Sequence, residues 1–280
     1  MSTYVKMAGI LVRRDLKVRT SGGDVTQTNT ITVVPITPPT VPPDPVEPPG
    51  HLLDYQAGDF TQWTEQHLAR AAQEAIVLTP ARSGYPYSAR FIVAPGDHTF
   101  GQTVEERAEV MASAAQSGDP VNGQTMWWAW SMFLPLGFHV DSDAESPVGN
   151  GWIVLTQWHC ESDTGGGGLG ISFGLTKGTS TPHLFLDATS SEWVDSQPLP
   201  LGVWNDFVMG ITWGDSDHAG VGHVIFRLNG RTVVDAGCNT LQVGQWAYLK
   251  QGIYRSNSAQ THTAYYTGTR CGTTEASVRL

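Results

Sequence analysis

The chain has 280 residues, 40% hydrophobic and 15% charged, with Gly 31, Pro 17 and 10 Trp, enough apolar material for one large β domain or two smaller ones. Its formal net charge is −10, and the first fifty residues carry five Lys/Arg against four Asp/Glu, so −11 sits on the remainder and nucleic acid is excluded as a partner. Cys160, Cys238 and Cys271 are too few for a disulfide framework and form no C-x-x-C pair, and no stretch reaches the roughly 18 apolar residues of a membrane span.

At the N-terminus, the apolar run Met7–Val12 is followed by Arg13 and Arg14 and does not suit a signal peptide. A chain of this kind acting outside a cell would leave by another route. Gly9–Thr20 and Val25–Val34 are β-prone and are separated by Ser21-Gly22-Gly23-Asp24, which predicts a hairpin or extended arm. Lys6, Arg13, Arg14, Lys17 and Arg19 face only Asp15 in the first twenty residues, so the arm is basic and too small for its own core. Residues 1–34 are therefore expected to dock on a larger assembly. Residues 35–50 read PITPPTVPPDPVEPPG; eight prolines fix φ and remove amide donors, which predicts an extended spacer. Residues 51–280 then make the head.

Within the head, short runs separated by Gly, Pro, Asn and Asp recur: Ile76–Thr79, Ser88–Val93, Arg107–Ala112, Met126–Leu134, Trp152–His159, Gly170–Leu175, His183–Ala188, Trp204–Trp213, His223–Leu228, Tyr248–Arg255 and Thr261–Tyr266. This spacing predicts an all-β, two-sheet sandwich. Glu65–Ala75 is the stretch that could form a helix. Gly165–Gly168, shortly after His159, reads as a loop at the rim of a binding site or as a plain connector.

Residues i and i+2 of a strand share a face. In Glu106-Arg107-Ala108-Glu109-Val110, Arg107 and Glu109 project together. In Gln157-Trp158-His159-Cys160, Gln157 and His159 share a face and leave Trp158 and Cys160 on the other, so the adjacent Cys and His make no catalytic dyad. In Tyr248–Arg255, Tyr248, Lys250, Gly252 and Tyr254 align while Leu249 and Ile253 turn inward. In Met126-Trp127-Trp128-Ala129-Trp130, Trp128 and Trp130 share a face; most of this run is core, with Trp128 offered as a ring for sugar stacking.

The R-x-E of Glu106–Val110, the Q-W-H of Gln157–His159 and the Y-L-K-Q-G-I-Y of Tyr248–Tyr254 resemble, in the same order, the three motifs of β-jelly-roll polysaccharide lyases of the alginate-lyase kind. Trp130-Ser131-Met132-Phe133-Leu134-Pro135, Leu201-Gly202-Val203-Trp204-Asn205-Asp206 and Leu228-Asn229-Gly230 are similar to the heparin lyase I-like and glucuronan lyase-like relatives, and the resemblance runs from about Asp54 to Tyr266. It implies a concanavalin-like β-jelly-roll and β-elimination at a uronic acid. On that likeness Arg107 and Gln157 neutralise the substrate carboxylate, and His159 and Tyr254 are the proton-transfer pair, their division of labour depending on sugar configuration. Lys250, placed to help the phenol ionise, joins Tyr248, Glu109, Arg255 and Trp128 as expected substrate-binding residues.

Departures from the family pattern narrow the substrate. Met111 stands where a second motif base belongs, which removes one subsite cation and, in so acidic a head, favours a weakly charged uronan over a heavily sulfated one. Such relatives often hold a structural calcium ion, but Tyr265-Tyr266-Thr267 offers no carboxylate for it, so no cofactor is required by this reading. Two rivals remain. The same face could bind glycan without cleaving it, as the head of a phage tail-tip or fibre protein that contacts host-surface polysaccharide, alone or as a homo-oligomer; the arm and spacer fit such a virion part. Hydrolysis would need two carboxylates; Glu109 is one, and no E-x-D-x-x-E-like strand supplies the other.

Overall fold

The computed structural model describes residues 2–7, 10–15, 32–34, 51–113, 123–162, 168–179, 181–189, 191–215, 217 and 222–280. The chain divides into two compact units, Met1–Val46 and Glu47–Leu280. In the first, β1 (Ser2–Met7), β2 (Ile10–Asp15) and β3 (Thr32–Val34) form an antiparallel sheet with β2 in the centre. β1 was not expected as a strand; the short connection from Met7 to Ile10 pairs it with β2. The turn expected at 21–24 and the spacer at 35–50 lie outside the described residues, as does most of the 165–168 loop.

The second unit contains β4 (His51–Leu52), β5 (Glu65–Leu68), β6 (Glu74–Val77), β7 (Ser88–Val93), β8 (Glu105–Met111), β9 (Thr125–Phe133), β10 (Ile153–Ser162), β11 (Gly168–Leu175), β12 (His183–Ala188), β13 (Ser191–Pro198), β14 (Trp204–Thr212), β15 (His223–Leu228), β16 (Arg231–Gly237), β17 (Gln245–Ser256) and β18 (His262–Gly272). Two antiparallel sheets result. One has seven strands in the order β13-β12-β11-β10-β17-β8-β5; the other runs β16-β15-β14-β9-β18-β7-β6, with β4 added on β18. The unit is an all-β jelly-roll sandwich. The stretch read as a helix is instead β5, a 3-10 turn at Ala71–Gln73 and β6, because its partners lie in the two sheets: β5 pairs with β8 and β6 with β7. Among the described residues no helix is long and apolar enough to cross a membrane.

Period-two alternation explains the layering. Strand β12 alternates half-buried and buried along its length, with Leu184, Leu186 and Ala188 facing inward. The hairpin β15–β16 turns on Asn229 (φ 50) and Gly230 (φ 79), the left-handed pair that a two-residue turn needs to match strand twist. Between the sheets, Trp130 stacks on Phe173 (5.5 Å) and Phe207 (5.3 Å), and Trp128 meets Trp158 edge-on at 5.1 Å. These rings are fully buried and carry much of the apolar area removed from water.

Charge also lies under the seven-stranded sheet. Arg255 and Glu106, 1% and 2% exposed, pair at 2.7 Å. An Arg255 guanidinium N–H donates to Nδ1 of His262, whose Nε2–H donates to the His139 carbonyl at 2.5 Å. That pattern fixes a neutral imidazole, and burial, then Arg255, hold His262 down at about 4 against an ordinary 6.5. Above the unfolded value both states are neutral. Below it the unfolded chain takes up a proton that the folded one refuses, so stability should fall as pH drops from 6.5 towards 4 and then level off, by about 3 kcal/mol for this group. Urea unfolding at neutral pH and near the lower bound, compared with His262→Asn, measures it; an equal loss in the variant assigns the effect elsewhere.

Candidate active site

Three neighbouring strands of the seven-stranded sheet build the site. Strand β17 lies between β10 and β8, and register places Tyr254 beside Arg107, Lys250 beside Gln157 and Tyr248 beside His159. On β8, Ala108 and Val110 are core, so Glu105, Arg107 and Glu109 point outward; on β17, Leu249 and Ile253 are core, so Tyr248, Lys250 and Tyr254 do; on β10, Trp158 and Cys160 are core, so Gln157, His159 and Glu161 do. The alternation thus brings Arg107, Glu109, Gln157, His159, Tyr248, Lys250 and Tyr254 to one face, drawn from sequence regions about 150 residues apart. Gly252, in register with Glu109, has φ 143, and a Cβ there would stand 2.1 Å from the Ala108 carbonyl oxygen. Only glycine permits this close strand approach.

Glu109 is the anchor. Its Oε1 accepts from Gln157 Nε2 at 2.6 Å, while Oε2 lies 3.7 Å from Arg107 Nη1 and 3.8 Å from Lys250 Nζ. The amide is thereby oriented, with its second N–H free for another acceptor, and two cations are held within reach of one point. Lys250 and Glu109 are 3% and 2% exposed, so this charge acts in a poorly hydrated floor. Burial lowers Lys250 and Glu109 opposes that shift.

His159 and Tyr254 stand at opposite ends of this floor. Burial, then Lys250, push His159 down to about 4, so its imidazole is neutral at neutral pH. Burial, then a hydrogen bond to Glu105, raise Tyr254 above 10.0, and Arg107 opposes. The cation beside that phenol is Arg107, stacked 4.1 Å over the ring, and not Lys250 as expected from sequence. The phenol is therefore kept protonated. At the other end Tyr248 donates to Glu161 Oε1 at 2.7 Å, and its ring lies 5.4 Å from that of His159.

Two expected binding residues are elsewhere. Trp128 is wholly buried among Trp158 and Trp213, because the side of β9 that it occupies faces the other sheet. Arg255 points under the sheet to Glu106, since it is one residue out of phase with Tyr254. Residues not anticipated take their place. Glu105 and Glu161 continue the same alternation by one step, a signal already present in E-x-R-x-E and Q-x-H-x-E. Phe100 left no periodic signal because it sits in a loop; it is 66% exposed with φ 54, and lies 4.8 Å from His67 and 5.7 Å from Arg107. Trp246, 37% exposed and 5.4 Å from Tyr248, offers a ring at the opposite end. Among the described residues no cluster of three or more His, Cys, Asp or Glu is arranged to hold a metal ion.

The family model described as polysaccharide lyase matches residues 55–270. Among solved structures, the fold is similar to an endo-β-1,4-glucuronan lyase from the fungus Trichoderma reesei, with TM-score 0.59 and 13% identity over 79% of this chain and 95% of that one. It is similar also to the cellulose induced protein Cip1 (TM-score 0.50, 13% identity, 79% and 96% covered). A family 7 alginate lyase, A1-II′, with product bound gives TM-score 0.50 and 12% identity over 73% of this chain and 85% of that one. No curated protein sequence matches. At these identities the structural likenesses speak to the fold, and the family rests on the model that spans most of the head.

Proposed function

We propose, for a chain that belongs to the polysaccharide lyase family, that the outer face of its seven-stranded sheet cleaves a uronate-containing polysaccharide by β-elimination. The observation that carries this is the register of β10, β17 and β8, which sets a guanidinium and an oriented amide between an imidazole and a phenol.

The C5 proton of a uronate is barely acidic while the carboxylate keeps its charge. Arg107 and the second N–H of Gln157 would hold that carboxylate, and Lys250 would add a cation beneath it, so that charge can build on it as the proton leaves. His159, neutral, takes the C5 proton. The C5–H electron pair forms the C4–C5 double bond, the C4–O4 bond breaks, and Tyr254, protonated, donates to the leaving O4. Phe100 and Trp246 would receive the flanking sugar faces.

The test is a panel of glucuronate-, mannuronate-, guluronate- and galacturonate-containing polymers, read by the ultraviolet absorbance of the conjugated double bond. Elimination creates that chromophore, whereas hydrolysis and binding do not. Unsaturated product supports the reading. Retention of a polymer without any product would favour the rival in which the face only binds glycan.

The separate compactness of Met1–Val46 favours a second, contextual reading: a docking unit that carries the lyase head on a larger particle such as a virion tail. Co-sedimentation with that particle, lost on deletion of residues 1–46, would support it.

A further inference from the structure

The outward face carries more acid than a uronan site calls for. From Gln157 the row of cross-strand partners runs through Ser172 on β11, Asp187 on β12 and Glu192 on β13; the other way it runs through Lys250, Met111 and Glu65. Along the strands, Glu161 follows His159 and Glu105 precedes Arg107. Among the described residues the outward strand positions therefore present two basic side chains, Arg107 and Lys250, at the centre. They present six carboxylates, of which Glu109 lies between the cations and Glu65, Glu105, Glu161, Asp187 and Glu192 surround them.

Ser172 is the second observation. It is 1% exposed, its hydroxyl has no hydrogen-bond partner among the described residues, and its neighbours Ile171 and Phe173 turn into the core, so it points outward between Gln157 and Asp187. A buried unpaired hydroxyl calls for a polar partner. Strands are about 4.8 Å apart, close to the length of one sugar, so a sugar next to one seated at Gln157 lies over Ser172 and Asp187. Burial, then Glu192, already hold the Asp187 carboxyl above its ordinary value.

On the reading that this face is a uronan lyase, we infer that it selects a uronate flanked by neutral sugars, a heteropolysaccharide with isolated uronates and not a homopolyuronate. One substrate carboxylate is matched by Arg107 and Gln157. A second, on either neighbour, meets Asp187 and Glu192 on one side or Glu65, Glu105 or Glu161 on the others, where like charges repel across a partly exposed rim. Sugar hydroxyls instead donate to these carboxylates and pair with Ser172. The conclusion holds for a polymer that leaves the central cradle over Ser172 and Asp187 or past Glu65, Glu105 or Glu161; a polymer lying along the remaining row, from Tyr254 through Val154, Gly174 and Phe185 to Val194, meets no carboxylate and would show no such preference.

The experiment compares each polyuronate of the panel with copies of itself in which a graded fraction of carboxyls has been reduced to primary alcohols, so that linkage and configuration stay fixed. The expected result is a rate per remaining uronate that rises roughly five- to tenfold as neighbours become neutral. Asp187→Asn/Glu192→Gln, and separately the exposed Glu65→Gln, should shrink that ratio by speeding cleavage of the fully charged polymer. If that polymer is cleaved at least as fast per uronate, with the ratio unmoved in both variants, the selectivity is overturned and the lyase reading stands. If no polymer at any degree of reduction yields unsaturated product, the lyase reading falls and takes the selectivity with it.

Discussion

Tyr254→Phe is expected to lower kcat by about a thousandfold while KM stays within a few-fold and the fold is unchanged. The substitution removes one oxygen. The ring that remains still lies under the Arg107 guanidinium at 4.1 Å and against Trp152 at 4.7 Å, so the packing and the cation–π contact persist. What disappears is the proton that the departing O4 must receive. Single-turnover production of the unsaturated chromophore, with polymer affinity measured in parallel, separates chemistry from binding. Residual activity within tenfold of the parent would remove Tyr254 from the proton-transfer step.

Arg255→Met, next to the third motif, should destabilise the head by about 3–5 kcal/mol. The loss comes less from the missing ion pair than from Glu106, left buried and charged at 2% exposure with, among the described residues, the Gly96 and Ser258 amides as donors. Glu106→Gln in the Arg255→Met background should therefore recover part of it. Denaturant unfolding of the parent, each single variant and the double variant measures the cycle. Because Arg255 lies beneath the sheet, folded Arg255→Met protein should bind polymer as the parent does; weakened binding at full stability would return Arg255 to the substrate side.

The sheets were legible in the sequence where a strand is covered on its inner face by the other sheet. His183–Ala188 and His223–Leu228 were read with their observed limits because a buried apolar residue recurs at every second position without a break. Of the longer strands of the head, β13 and β16, which escaped, and β5, misread as a helix, stand at sheet edges. An edge strand packs on one neighbour and needs little apolar alternation, so SEWVDSQP and EQHL carry only a weak signal. The site was legible through parity, which groups residues onto a face but does not say which face looks outward. That ambiguity put Trp128 in the binding group, and only the position of the second sheet resolves it. Glu65, Asp187 and Glu192 at the rim and the Phe100 loop needed cross-strand register and loop geometry, neither of which a single sequence supplies.

The order in which the strands leave the ribosome differs from their order in space. Strand β17, which supplies the phenol and the lysine, is made some 80 residues after β10 ends and well after β8, yet it occupies the gap between them. Until it arrives, β8 and β10 have no common neighbour and their polar groups surround nothing. A growing chain thus has no assembled groove until β17 has emerged, and insertion of that one strand turns two separate edges into a single polar face.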